Sequence, residues 1–505
     1  MSTIPSRSFP SRPPALSWTT RPHDAGGVAE LKEPRFFRLL LALAVLELWV
    51  VPAASSLWLD ETATFWMIKD GPANAVARSM YWAGQSPVYY LTAWLAMAVG
   101  GRHELILRLP SIAFMIGAAV MFYRLAARLF DRATAWLAVA VFACSEQVIF
   151  AAADARPYAF GLCMLVGSAL MLARWLDNGR KSDAAGYALF SALTLYAHFL
   201  FAPALLVLAL YAAHRVQKER LKPGALAAAW AWAGLMTAPL VAQTLRFYQT
   251  RTAHSFAETP RFSDLLATIA PPVLVASLAV GLLIAWLACP PPKRDGEAPK
   301  EAVLLAAAWA VLPPLVCYLI SVATDTKLFV PRYFIACQPG LALLAAWIVR
   351  RNAGSSGRRV VGAALFLGAA LSFGTVHHNG EDWAGAMQAV RSEAGGTQMP
   401  VLVASGFVEA SDPQALDDPK LQAVLFAPQE MYPAAGKVIR LPYRLDERSI
   451  RYLEGLLSGP LAHERRFLLV ARWQGLTFEP WLRGRGFRSE SLGNFGGVGV
   501  FRFSR

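Results

Sequence analysis

From Leu39 onward, apolar runs of roughly 18 residues or more recur along the chain, separated by short segments rich in arginine, lysine and proline. A soluble domain would break its apolar residues into shorter periodic pieces and carry about a quarter charged residues. Here 56% of the 505 residues are hydrophobic and 16% charged. Runs of bilayer-spanning length that recur in this way define a polytopic membrane protein. The formal net charge of +14 arises from basic residues clustered between the runs. That is the pattern of cytoplasmic loops, so the charge calls for no nucleic acid partner. Cys144, Cys163, Cys289, Cys317 and Cys337 all lie in or beside apolar runs without metal-ligand spacing, and read as small buried apolar residues.

Orientation follows from where the arginines fall. Residues 1–36 read as a disordered basic tail carrying Arg7, Arg12, Arg21, Lys32 and Arg35, which the positive-inside rule places in the cytoplasm. The "PAASS" after the first run looks like a signal-peptidase site, but nearly forty residues precede the run, far more than a normal n-region, so the run reads as a retained anchor. Spans are then expected at Leu39 to Leu57, Leu105 to Tyr123, Ala133 to Ala151 and Tyr158 to Leu176, with basic inside loops at Arg124, Arg128 and Arg132 and at Arg180 and Lys181. The run Ala184 to Ala213 has basic flanks on both sides, which predicts a hairpin of two short helices turning near "YAHFLFAP". Further spans are expected at Ala225 to Leu245, Leu265 to Ala288, Ala302 to Ile320, Phe334 to Val349 and Val360 to Val376. The total is about eleven, an odd number that carries the C-terminus outside. The piece Ser86 to Gly100 is too short and would reverse every later loop if it crossed, so it reads as an interfacial helix in a long first external loop, about 58–104.

Past Glu381 the pattern changes. "PVLVASGF", "KVIRLPYRL", "RFLLVAR" and "GVGVFRFSR" read as strands, and "WAGAMQAVRSEAG" and "DERSIRYLEGLLSG" as amphipathic helices. The expected fold is thus an all-α membrane domain over 37–376, followed by a soluble α/β domain over 377–505 outside the membrane.

On that topology the outer ends of distant spans gather Asp60, Glu61, Gln85, Glu104, Arg108, Asp154, Arg156, Tyr158, Tyr196, His198, Lys327, Arg332 and Tyr333 on one face. Arginine offers a planar donor set to a phosphate, and a carboxylate can take a proton from an attacking hydroxyl. Taken singly, the arginines also read as snorkelling anchors, His198 as a packed, hydrogen-bonded residue, and Glu104 and Arg108, one turn apart, as a local pair.

In the order "LWLDETATFW", "GQSPVYYL", "HELILRLPS", "ADARPYAF" and "FVPRYFIACQPG", these motifs resemble bacterial membrane glycosyltransferases of the GT-C superfamily, near protein O-mannosyltransferases and aminoarabinose transferases, over about Leu39 to Gly340. The resemblance implies an inner-membrane enzyme that uses a polyprenyl-phosphate sugar as donor and modifies a lipid, glycan or protein acceptor on the periplasmic side. It implies Asp60 as the base, with Glu61 completing the motif, and Arg332, Tyr333, Arg156 and Tyr158 near the donor phosphate. Gln85, Tyr89, Asp154, His198 and Lys327 are the further candidates for substrate contact. Relatives often carry His-Pro-Pro before the tyrosines where this chain has Gln85, Ser86 and Pro87, so the histidine's role does not carry over. No cofactor is called for, and a divalent metal is left open. The chain shows no Gly-rich nucleotide loop, which argues against a nucleotide-sugar donor. A flippase for a polyprenyl-linked glycan would share the spans and arginines, but not the odd topology or the large external domain. A glycan ligase would put its residues in the later loop 246–264, with Arg246, Arg251, His254 and Arg261.

Overall fold

The structure, a computed structural model, describes residues 28–81, 86–218, 222–249, 258–291, 299–373, 376–411 and 424–505. Among them, six helices are long and apolar enough to cross a membrane, and two bent helix pairs raise the number to eight. The other expected crossings correspond to Lys181–Ala197, to Pro223–Thr237 followed by Leu240–Gln249, and to Ser355–Phe373. The chain is a multi-pass membrane protein.

Several boundaries differ from the sequence expectation for physical reasons. The first helix starts at Val28, inside the expected tail. Its extra turns are held by a buried ion pair in which Arg358 Nε and Nη2 donate to Glu33 at 2.6 and 2.7 Å, a tertiary contact no local pattern reveals. Residues 1–27 of that tail lie outside the described residues. The expected span Ala133 to Ala151 is a pair, Arg132–Ala143 and Glu146–Ala152, bent by 68°, and Phe262–Ile269 meets Pro272–Ala288 at 47°. Pro271 and Pro272 account for the second bend, as Pro239 does for the break after Thr237, because proline lacks the N–H that continues a helix. Ala184 to Ala213 does form two helices, Lys181–Ala197 and Ala202–Lys218, joined through extended His198 and one tight turn at Phe199–Phe201. Pro87–Gly100 is a helix of 14 residues, about 21 Å long and short of a bilayer core.

The C-terminal region holds five strands, β1 (Pro400–Ala404), β2 (Lys437–Arg440), β3 (Arg466–Arg472), β4 (Arg488–Phe495) and β5 (Val498–Ser504), in the order β2-β1-β3-β5-β4. β1 pairs in parallel with β2 and β3, and β5 runs antiparallel between β3 and β4. β4, "RSESLGNF", was not expected. It is a polar edge strand with a register shift between Ser491 and Gly493, so it lacks the apolar alternation that marks a strand. The two faces of the sheet have different fates. Val401, Val403, Leu468, Val470, Val498 and Val500 join the same core as the membrane helices, whereas Leu402, Leu469, Phe467 and Phe503 form a separate core under the helix Glu447–Ser458 and the segment 478–487. Alternation along the strands therefore fastens the soluble domain to the membrane domain with one face.

The expected topology has a direct check. Single cysteines at the exposed positions Asn74 and Ser458 should react with an impermeant thiol reagent applied from the periplasmic side, and those at Ser182 and Asn352 should not. Four of the native cysteines are buried, which keeps background low. Reaction at Asn352 without reaction at Ser458 would reverse the orientation.

Candidate active site

Asp60 and Glu61 occupy the first turn of the helix Leu59–Ile68, where carboxylates are favoured by the unpaired N–H groups and the helix dipole. The two point in different directions. Glu61 is fully buried, and Arg108 Nε donates to its Oε1 at 2.7 Å while Nη2 donates to its Oε2. Ala155 N donates to Oε1 at 2.7 Å and Trp58 N to Oε2 at 3.2 Å. Burial alone would raise the Glu61 carboxyl, but the Arg108 guanidinium and these donors hold it below the ordinary carboxylate value. The rest of the Arg108 fork goes to the carbonyls of Ala53, Ser55 and Ser56. Arg108 thus pairs with Glu61 and not with Glu104, which correlates the end of the first span with the start of the Leu59–Ile68 helix. Glu104 instead accepts from the Tyr432 hydroxyl at 2.9 Å.

The same helix fixes the "ADARPY" loop. Glu61 takes the N–H of Ala155, and the Thr64 hydroxyl donates to the Ala155 carbonyl at 2.7 Å, so one peptide unit is gripped on both sides. Its neighbours then diverge. Asp154 turns inward and is fully buried, accepting from Trp58 Nε1 at 3.0 Å, with His378 Nε2 3.5 Å away. Arg156 turns toward Asp60, its Nη1 donating to the Asp60 carbonyl and to the Tyr90 hydroxyl, both at 3.3 Å. Its Nε is buried with no hydrogen-bond partner among the described residues. Ser111, which shares a 2.9 Å hydrogen bond with Tyr89, donates to the Arg156 carbonyl at 3.3 Å, tying "LRLPS" and "SPVYYL" into the same frame.

Arg332 arrives from a third part of the chain. The segment Pro331–Cys337 is pinned by Trp309 Nε1, which donates to the Ala336 carbonyl at 2.7 Å. Gly340 lets the following helix close on Lys300–Ala323, since a Cβ there would meet Ala310 N at 2.5 Å. Arg332 Nη1 donates to Asp60 Oδ2 at 3.1 Å, and its guanidinium lies over the rings of Trp58 at 6.0 Å and Tyr333 at 5.4 Å. Asp60 Oδ1 makes no hydrogen bond among the described residues, and the side chain stays 23% exposed. Tyr158 and Tyr333 flank His198, with ring centroids at 6.0 and 5.1 Å, and the histidine Nδ1 accepts from Leu200 N at 3.2 Å. The open end of the cluster therefore presents two guanidinium groups, one carboxylate and a wall of aromatic rings.

Of the residues singled out in the sequence, Asp60, Arg156, Tyr158, His198, Arg332 and Tyr333 come together, with Glu61, Asp154 and Tyr89 beneath them. Lys327 does not join them through any contact among the described residues; its ammonium donates to the carbonyls of Ser321 and Thr324 and finishes the preceding helix. Gln85, Arg251 and His254 lie outside the described residues, as does the side chain of Arg246. Thr64, Tyr90, Ser111, His378 and Glu381 were not anticipated. Thr64, Tyr90 and Ser111 lie within the motifs quoted above, and the only sequence signal of His378 and Glu381 is the polar cluster "HHNGED" at the domain boundary.

Glu61, Asp154 and His378 bring one ligand-type atom each within 4.8 Å of one another. The Glu61 oxygens are already filled by four donors, and a cation there would face the Arg108 guanidinium, so these residues do not fit a metal. They fit an acid–histidine pair packed against an ion pair. Burial, with Glu61 nearby, pushes the Asp154 carboxyl above the ordinary carboxylate value.

Residues 84–243 match the family model for dolichyl-phosphate-mannose-protein mannosyltransferases, a stretch that includes Asp154, Arg156 and His198 but neither Asp60 nor Arg332. No curated protein sequence matches the chain. The fold is similar to that of ArnT from Cupriavidus metallidurans in the apo state, with a TM-score of 0.52 at 12% identity over 93% of this chain and 98% of that one. It is equally similar to ArnT from the same organism bound to undecaprenyl phosphate, with a TM-score of 0.52 at 11% identity and the same coverage. A looser likeness, with a TM-score of 0.46 at 16% identity, links 94% of this chain to 40% of arabinofuranosyltransferase AftD from Mycobacteria. The family match and the fold together support a GT-C superfamily glycosyltransferase related to the protein mannosyltransferases and ArnT.

Because Glu61 neutralises a wholly buried guanidinium, Glu61→Gln should destabilise the protein by about 3–5 kcal/mol, measured as a fall in thermal stability at neutral pH. The folded carboxyl is held below its unfolded value, so its contribution is full only above about pH 4.5 and is lost as pH falls through the lowered value. The gap between wild type and variant should therefore narrow below about pH 4.5. A gap that stays constant with pH would sever Glu61 from the effect.

Proposed function

We propose that the chain is an inverting glycosyltransferase that moves a sugar from a polyprenyl-phosphate donor to a hydroxyl-bearing lipid, glycan or protein acceptor on the extracytoplasmic face. The observation that carries this reading is the convergence of Asp60, Arg156 and Arg332 from three distant segments, with an unused buried donor on Arg156 and an uncommitted oxygen on Asp60. ArnT, whose fold is similar, has been seen bound to undecaprenyl phosphate, which supports a lipid-phosphate ligand for this chain as well.

The chemistry follows from the groups present. The acceptor oxygen attacks the anomeric carbon and its proton passes to the Asp60 carboxylate. The bond between the anomeric carbon and the phosphate oxygen breaks on the opposite face, inverting the configuration. The leaving polyprenyl phosphate takes the electron pair, and Arg156 and Arg332 stabilise the charge that builds on it. Glu61 is not placed to take the proton, since both its oxygens are occupied. Its role in this reading is to hold Asp60 and Arg156 at their separation.

Purified protein should release polyprenyl phosphate from a polyprenyl-phosphate sugar only when an acceptor is present, with nucleotide sugars unable to substitute. Asp60→Asn preserves shape but removes the proton acceptor, and should lower turnover by roughly a hundredfold or more at near-normal donor binding. Arg332→Lys keeps the charge but loses the planar fork, and should cost activity sharply. If Asp60→Asn turned over normally while Asp154→Asn was inactive, both remaining folded by thermal melting, the base would have to be reassigned to Asp154.

A further inference from the structure

We propose that Glu381, held by Arg472 of the C-terminal domain, is a positioning residue for Asp60, so that the soluble domain forms part of the active centre. This deepens the reading above and rests on it. Leu59, whose N–H opens the helix that carries Asp60 as its next residue, donates to Glu381 Oε2 at 3.1 Å, across 322 positions of sequence. The carboxylate is itself fixed. Trp383 Nε1 donates to Oε2 at 3.0 Å, and Arg472 donates to Oε1 from Nε at 2.7 Å and from Nη2 at 2.6 Å. Glu381 is 7% exposed, so this is a buried cap on a helix start, supplied by another domain.

The neighbouring contacts form a continuous clamp. The Tyr432 hydroxyl accepts from Leu57 N at 2.9 Å, the Ser56 hydroxyl oxygen accepts from Ala384 N at 3.1 Å, and that of Ser55 accepts from His378 N at 3.1 Å. At the far end of the helix, Lys69 pairs with Glu430 at 2.7 Å. The loop that aims Asp60 is thus tied to residues beyond 377 along its whole length. The sheet explains where the clamp comes from. β1 lies between β2 and β3, all parallel, so the chain switches direction between β1 and β3, and Arg472 is the last residue of β3. Open α/β sheets bind their ligands at such a switch point. In this domain Arg472 engages Glu381 there, and through it the Asp60 helix. A displacement of about 1 Å at a reacting group can cost on the order of a hundredfold in rate, which is the scale on which such a clamp matters.

The test uses the full-length protein in detergent with undecaprenyl phosphate as the binding probe. In Glu381→Ala, amide exchange over 57–62 should quicken at least about tenfold. Turnover should fall at least about tenfold, while undecaprenyl phosphate affinity moves less than about threefold. Glu381→Gln, which keeps an oxygen for Leu59 N–H, should recover much of the exchange protection. Leu402→Ala, in the separate core on the other face of the sheet, should lower the thermal stability of the domain without altering exchange over 57–62. Unchanged exchange and turnover in Glu381→Ala, or the same selective loss in Leu402→Ala, would overturn the proposal. Should Glu381→Ala fail to fold, Tyr432→Phe carries the test through exchange at Leu57, where an unchanged rate overturns it equally. Normal turnover in Asp60→Asn would instead remove the base assignment, and would leave the exchange difference in Glu381→Ala standing.

Discussion

The ion pair between Glu61 and Arg108 is the interaction on which the candidate site is built. Both side chains are wholly out of solvent, where either alone would be very costly. The cost is met by saturation. Four donors reach the carboxylate, and the guanidinium spends its remaining hydrogens on three carbonyls at the end of the first span. Such a pair stabilises little in net terms compared with apolar packing, but it specifies geometry. It joins the first span, the Glu104–Leu129 helix, the Asp60 helix and the Ala155 peptide at one point.

From that point two pairs of nearby residues turn in opposite directions. Asp60 and Glu61 are neighbours in sequence, yet one faces the open cluster and the other is sealed beneath it. Asp154 and Arg156 flank the gripped Ala155 peptide in the same manner, the acid inward and the base outward. Helical and turn geometry account for both separations, since neighbouring side chains leave the backbone in different directions. An acidic motif of two residues can therefore supply one open carboxylate and one buried in an ion pair, and the buried one fixes the position of the other.

Much of this was legible in the sequence, and what was not has identifiable causes. The apolar runs and the arginine distribution located Asp60, Arg156 and Arg332 on one face, and the structure brings them into one cluster. Proline marks the helix breaks at Pro239 and Pro272, whereas the 68° bend between Arg132–Ala143 and Glu146–Ala152 carries no such mark. Arg108 was open to a local partner four residues away because helix spacing favours Glu104, and only the tertiary structure could show that a buried carboxylate outcompetes a neighbour at the helix surface. β4 escaped notice because an edge strand need not alternate. Tyr432 left no readable signal, and Glu381 only a polar cluster without a partner, because what they do is satisfy backbone groups hundreds of residues away.

That last class of contact changes what the soluble domain is. One face of its sheet shares a core with the membrane helices while the other is closed by the domain's own helices, so it is not a module on a tether. The first N–H groups of a helix lack partners in a preceding turn; Glu61 receives that of Trp58, and that of Leu59 goes to Glu381. Water could take that place, but water would leave the first turn free to fray, and Asp60 lies in that turn. A carboxylate held by Arg472 at the end of the central strand removes that freedom. The orientation of the proposed base then depends on a domain that begins more than three hundred residues later, and a chain lacking it would keep every side chain of the open cluster while losing the frame that aims Asp60.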